Sequence, residues 1–141
     1  MSNQTTRPLE EFRTPTSVTL ALLWTSLMFL YIYNDYFSLY MPHTIEGMMA
    51  GRVGPLGPAT EPVMIGVSMM LAVPALMIVL SVALPPTLSR WLNVLMGLVY
   101  TAIEVMTFSE PHSFYKIVVG LEIVLTLWIV WRALRWPRKP T

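Results

Sequence analysis

The side chains best placed to do chemistry in this 141-residue sequence are carboxyls set inside apolar runs. Glu104 interrupts the run 91–109, and Glu122 interrupts the run 113–131. Ionisable groups inside such runs are rare, turn toward a bundle interior and mark ligand or proton-handling sites. Helix rise puts Glu104 about 20 Å along from Trp91, and Glu122 roughly 10 Å along from Tyr115. If the two runs are antiparallel neighbours, both carboxyls reach a similar depth, with Asp35 above them where an earlier apolar run closes. Two negative charges there would repel, so one proton shared between two carboxyls is a sensible resting state.

Helical spacing sharpens this pairing. Asn93, Gly97, Tyr100, Glu104 and Phe108 form one stripe with Thr101 beside it, and Tyr115, Glu122, Thr126 and Ile129 form another. Tyr100 is the expected hydrogen-bond partner of the carboxyls. Lys116 falls on a different face from Glu122, which argues against an intrahelical ion pair. The competing account is structural: a carboxyl bonded to a neighbouring helix is ordinary interhelical glue, contributing about 1 kcal/mol. Contact with another subunit would account for the same residues.

Weaker signals lie in the loops. Met41, His43, Met48 and Met49 offer soft donors of the kind that hold Cu(I), and His43 with His112 could face a haem. Methionine in an apolar chain mostly fills gaps, and both histidines read more simply as surface residues, so no metal and no cofactor is expected. The absence of cysteine excludes disulfides, thiolate metal sites and CxxC redox chemistry. No nucleophile motif, HExxH or glycine-rich phosphate loop occurs, so catalysis is not the first expectation. General acid–base chemistry by the two glutamates is the form an enzyme reading would take.

The elements that must position these carboxyls follow from composition. The chain is 55% hydrophobic and only 12% charged, about half the charged share of a typical soluble domain. Mean hydropathy is +0.58. A disordered chain, a nucleic-acid binder and an ordinary soluble enzyme are thereby excluded. Membrane crossing takes about 20 mostly apolar residues, and four spans meet it, near 14–34, 62–85, 91–109 and 113–131. Pro74 lies within the second and should kink it, and Pro85-Pro86 should end it. Ser68 with Ala72, and Gly97 with Thr101, are small-residue pairs that permit close helix contact.

Orientation is read from the basic residues. Arg7, Arg13, Arg90, Arg132, Arg135, Arg138 and Lys139 fall on one side of four spans, and Arg52 and Lys116 on the other. Both termini, 1–13 and 132–141, are therefore expected in the cytoplasm, at a cell inner (plasma) membrane. Trp91, Trp128, Trp131 and Trp136 would mark the inner boundary, and Tyr31, Tyr33, Tyr36, Tyr40 and Tyr115 the outer one. The first span should stay as an anchor, because Tyr33-Asn34-Asp35 is no small-residue cleavage site. Asn3-Gln4-Thr5 fits a glycosylation sequon that a cytoplasmic tail would leave silent. The outer loop, 35–61, is long enough to hold structure of its own. A short surface helix is expected from Thr44, as its cap, to Gly51, with Ile45, Met48 and Met49 as its apolar face. Gly54-Pro55-Leu56-Gly57-Pro58 is the returning turn.

Several stretches resemble a family of uncharacterised bacterial four-span membrane proteins, a domain of unknown function that is DoxX-like in layout. They are Leu23-Trp24, Tyr33-Asn34-Asp35-Tyr36-Phe37, Met41-Pro42, Glu46 and Met49-Ala50-Gly51, then 74–81, Arg90-Trp91-Leu92-Asn93, Glu122-Ile123 and Leu127-Trp128. The likeness covers residues 20–131, and Ala72 stands where the family pattern often has an acidic residue. The resemblance implies the fold and carries no activity.

The expected architecture is all-α, an integral membrane four-helix bundle in a single domain, both termini inside, with a surface helix in the first outer loop. Two functions fit it. One is an accessory subunit, without catalytic chemistry, of a larger membrane complex or of an assembly with itself. The other is a bundle that binds a small amphiphile, a lipid or quinone, through a protonatable pair in its outer half. The candidate residues are Glu104, Glu122, Asp35 and Tyr100, with His43 and His112 in the outer loops.

Overall fold

A computed structural model describes residues 13–108 and 113–138. Four long helices and one short one occupy them. They are α1 (Thr16–Ser38), α2 (Thr44–Met49), α3 (Glu61–Ala83), α4 (Pro86–Thr107) and α5 (Ser113–Leu134). Prolines set several boundaries. Pro15 precedes α1 in an extended conformation, Pro62 sits in the first turn of α3, and Pro86 opens α4. Each lies where a helix leaves its N–H groups unpaired anyway. Arg90 consequently lies inside α4 and not between two spans. Its Nη2 donates to the Leu134 carbonyl of α5 at 3.1 Å.

α1 is central, packing on α3 along one side and on α5 along the other. α4 backs closely onto α5, whereas α3 and α4 meet lightly. The core gathers Leu20, Leu23, Trp24 and Leu27 of α1 with Met77, Val94, Ile129 and Ala133. Gly97 sets the α4–α5 distance, since a Cβ there would lie 2.7 Å from a Val130 methyl and 3.3 Å from the Thr126 carbonyl. That is the close approach expected of the Gly97–Thr101 pair. Ser68 is exposed, so the Ser68–Ala72 pair does not pack the bundle interior.

Among the described residues, α1, α3 and α5 are long and apolar enough to cross a membrane. Rows such as Leu22, Phe29 and Ile32 on α1, or Leu76, Val79 and Val82 on α3, face outward, as lipid-facing surface requires. α4 matches the other three in length but is amphipathic. Ser89, Asn93, Gly97, Tyr100 and Glu104 share its buried face.

At the end of the bundle near the termini, Asn93 joins three helices. Its Oδ1 accepts from the Trp24 indole at 2.7 Å and from Ser81 Oγ at 3.1 Å, while its amide donates to the Ser89 carbonyl at 2.8 Å. The Ser89 hydroxyl donates in turn to the Ser81 carbonyl at 2.9 Å. All polar atoms of this node lie on fully buried residues, so its satisfaction matters for folding.

At the opposite end, the loop between α1 and α3 folds back on itself. Arg52 pairs with Pro58 in a single antiparallel bridge, and Val53 donates to the Gly57 carbonyl at 2.7 Å. The short helix α2 forms where expected, with Ile45, Met48 and Met49 exposed. Its cap differs: His43, at φ 66°, is the N-cap residue, Thr44 is the first helical residue, and no side chain caps the end. Gly54–Leu56 forms a single 3-10 turn.

Candidate functional site

The stripe of α4 and the stripe of α5 meet as their spacing predicts, and each buries a carboxyl. Glu104 and Glu122 are both 3% exposed. Glu104 is held by two other helices. The Tyr31 hydroxyl of α1 donates to its Oε1 at 2.7 Å, and the Thr126 hydroxyl of α5 donates to its Oε2 at 2.8 Å. Thr101 Oγ1 lies 2.8 Å from Thr126 Oγ1, which extends the network along the α4–α5 seam. Thr126 stands one turn after Glu122 and also lies 3.1 Å from the Glu122 backbone carbonyl, so both glutamates neighbour the same threonine.

Glu122 is less well satisfied. Its Oε1 is buried without a hydrogen-bond partner among the described residues, and so is Oδ1 of Asn34. Asn34 is 5% exposed and is the polar neighbour of the Glu122 carboxyl on α1. Both orphaned atoms are acceptors, and a buried acceptor left without a donor costs about 1–3 kcal/mol. The side chains that bond the two carboxyls, Tyr31, Thr126 and Asn34, include no basic residue. The cluster is therefore rich in oxygen acceptors and short of protons to give them.

Asp35 and Tyr100 take other roles than expected. α1 continues past Asp35 to Ser38, which leaves Asp35 exposed next to the buried Asn34. Tyr100 does not bond Glu104. Its hydroxyl donates to the Met70 carbonyl of α3. Met70 stands one turn before Pro74, and a proline inside a helix strips that carbonyl of its usual donor. Tyr100 supplies the replacement from α4, a repair typical of proline-broken membrane helices. His43 is exposed in the loop, beside Arg52, Thr44 and Met48 around a shallow hollow. His112 lies outside the described residues, as do Ser109, nearly all of the N-terminal tail and the last three residues of the C-terminal one. Among the described residues no group of three or more His, Asp or Glu side chains could hold a metal ion.

Tyr31 and Asn34 join the site although the sequence pattern assigns Tyr31 to an aromatic belt and singles out neither for the cluster. Their signal lies in the spacing of Trp24, Leu27, Tyr31 and Asn34, which places all four on the core face of α1.

A second feature adjoins the cluster on the same two helices. An open groove of about 380 Å³ runs along the α1–α5 seam, lined by Ser26, Phe29 and Leu30 on one side and by residues including Leu121, Leu125 and Trp128 on the other. Its walls are almost wholly apolar.

Together these features define a class, a small helical chain of membrane type that buries a carboxyl pair between two helices. The chain belongs to DUF6326, a family of unknown function, whose pattern it matches over residues 9–141. No curated protein and no solved structure matches it.

Proposed function

We propose that the chain is a four-span membrane bundle that binds a small protic amphiphile, a lipid or quinone-like molecule, through the protonatable Glu104–Glu122 pair. The observation that carries this reading is the unmet demand for donors at Glu122 Oε1 and Asn34 Oδ1, two buried acceptors side by side. A hydroxyl or other donor head answers that demand, and a proton held by the pair answers it in the unloaded protein. α4 joins α1, α3 and α5 as the fourth span because its polar face is spent inside the bundle. The arginine-rich side of the chain supports an orientation with both termini in the cytoplasm of a bacterial cell.

Purification in mild detergent followed by mass spectrometry of the intact complex tests this. A bound lipid or quinone that is lost in Glu122→Gln supports it, and a chain carrying no such molecule contradicts it.

A second reading, an accessory subunit of a larger membrane complex, draws on a different observation. Tyr33, Tyr36 and Phe37 at the end of α1 and Tyr40 just beyond it form a chain of stacked and edge-to-face contacts between exposed rings, and aromatic side chains are common anchors at interfaces. The same purification separates the two, since a stoichiometric protein partner favours the subunit.

A further inference from the structure

Resting on the reading of the carboxyl pair as a donor-binding site, we propose that the α1–α5 groove is the binding site for the apolar chain of that ligand. The ligand class is then a single-chain amphiphile, with a hydrogen-bond donor at its head and an alkyl or isoprenoid tail. The register of the two helices argues for it. On α1, Leu30 lines the groove and Asn34 follows one turn later on the same side. On α5, Leu121 and Leu125 line the groove and flank Glu122, which turns into the bundle. The groove therefore ends about one helical turn from the two acceptors that lack donors, which are themselves buried on the bundle side. From Leu121 to Trp128 it extends about 10 Å along α5 away from them. A head at Asn34 and Glu122 would place its tail along that line, parallel to the helices and open to the surrounding lipid.

The chemistry of the walls suits an apolar tail. A polar head finds no partner inside the groove, whose lining is apolar apart from Ser26. Polar groups lie just past its end, at the buried Asn34 and Glu122. An amphiphile with one donor matches this separation, whereas a plain alkane leaves Glu122 Oε1 and Asn34 Oδ1 unmet.

The test uses the full chain in phosphatidylcholine nanodiscs and two probes, ω-bromoundecanol and its methyl ether. They share a bromine-tagged tail, and only the alcohol can donate. Intact-complex mass spectrometry counts bound probe, and tryptophan quenching reports bromine near Trp128. The expected result is saturable binding of the alcohol, about ten-fold tighter than the ether, with quenching that disappears in Trp128→Phe. Ser26→Phe fills the groove from the lipid side and should weaken alcohol binding by about the same factor. Val124 of α5 also lines the groove, opposite Ser26, and Val124→Phe serves if Ser26→Phe shifts the melting curve. Alcohol retained by both filled variants without Trp128 quenching overturns the groove and leaves the carboxyl reading standing. Alcohol bound no better than ether in the unmodified chain overturns both.

Discussion

The Tyr31 hydroxyl donates to Glu104 Oε1 across 2.7 Å, joining the core face of α1 to the buried carboxyl of α4. α1 and α4 also meet where the Trp24 indole bonds Asn93 and its ring packs edge-on against Tyr100, but α3 and α5 lie between most of their lengths. The Tyr31 bond is thus a second polar tie between the two helices. Tyr31→Phe keeps the ring and removes the donor, so thermal melting should show a loss of about 1–2 kcal/mol. Glu104→Leu should cost a similar amount, and the double variant should cost much less than the sum. Additive losses would show that the contact is energetically idle.

Tyr100 offers a contrasting case on the same stripe. Tyr100→Phe strands the Met70 carbonyl, already deprived of its helical donor by Pro74. The expected effect is local: amide exchange should accelerate in α3 around Met70 and remain unchanged in α5. The global loss should be modest, about 1 kcal/mol. Faster exchange around Glu104 in place of α3 would assign Tyr100 to the carboxyl cluster after all.

How much of this could be read beforehand differs from residue to residue. Glu104 and Glu122 stand out as charges within apolar runs, and the rules of helical spacing place both on buried stripes. Tyr31 and Asn34 are hidden by their neighbours. α1 ends in a run of aromatic residues, and its inward face is marked only by continuity with Trp24 and Leu27. The partner of Tyr100 was not legible at all, because the freed carbonyl belongs to α3 and is met only once α3 and α4 pair. Asp35 follows from the helix running on to Ser38, a boundary that charge alone made look like an end.

Gly97 tests the seam on which the cluster is built. Gly97→Ala puts a methyl 2.7 Å from Val130 Cγ2 and 3.3 Å from the Thr126 carbonyl. α4 and α5 must separate or Val130 must turn, and overpacking of this kind costs about 1–3 kcal/mol. A lowered melting temperature is expected, partly restored by Val130→Ala. An unchanged melting curve would show that the helices are not this close.

Orientation can be checked directly because the chain contains no cysteine. A single cysteine at Pro58, in the loop between α1 and α3, should react with an impermeant thiol reagent added outside the cell. Reaction only after the membrane is opened would place that loop, and not the termini, in the cytoplasm.

The claim at the centre of this account is that Glu122 and Asn34 present two acceptors awaiting a donor. Glu122→Gln supplies one, since its amide can donate to Asn34 Oδ1 while its carbonyl remains an acceptor. The most direct measurement is the melting temperature of this variant together with the amphiphile that co-purifies with it. The expected variant melts higher than the unmodified protein, by about 1 kcal/mol of stability, and carries no bound amphiphile. A variant that melts lower and keeps the same bound molecule would contradict it.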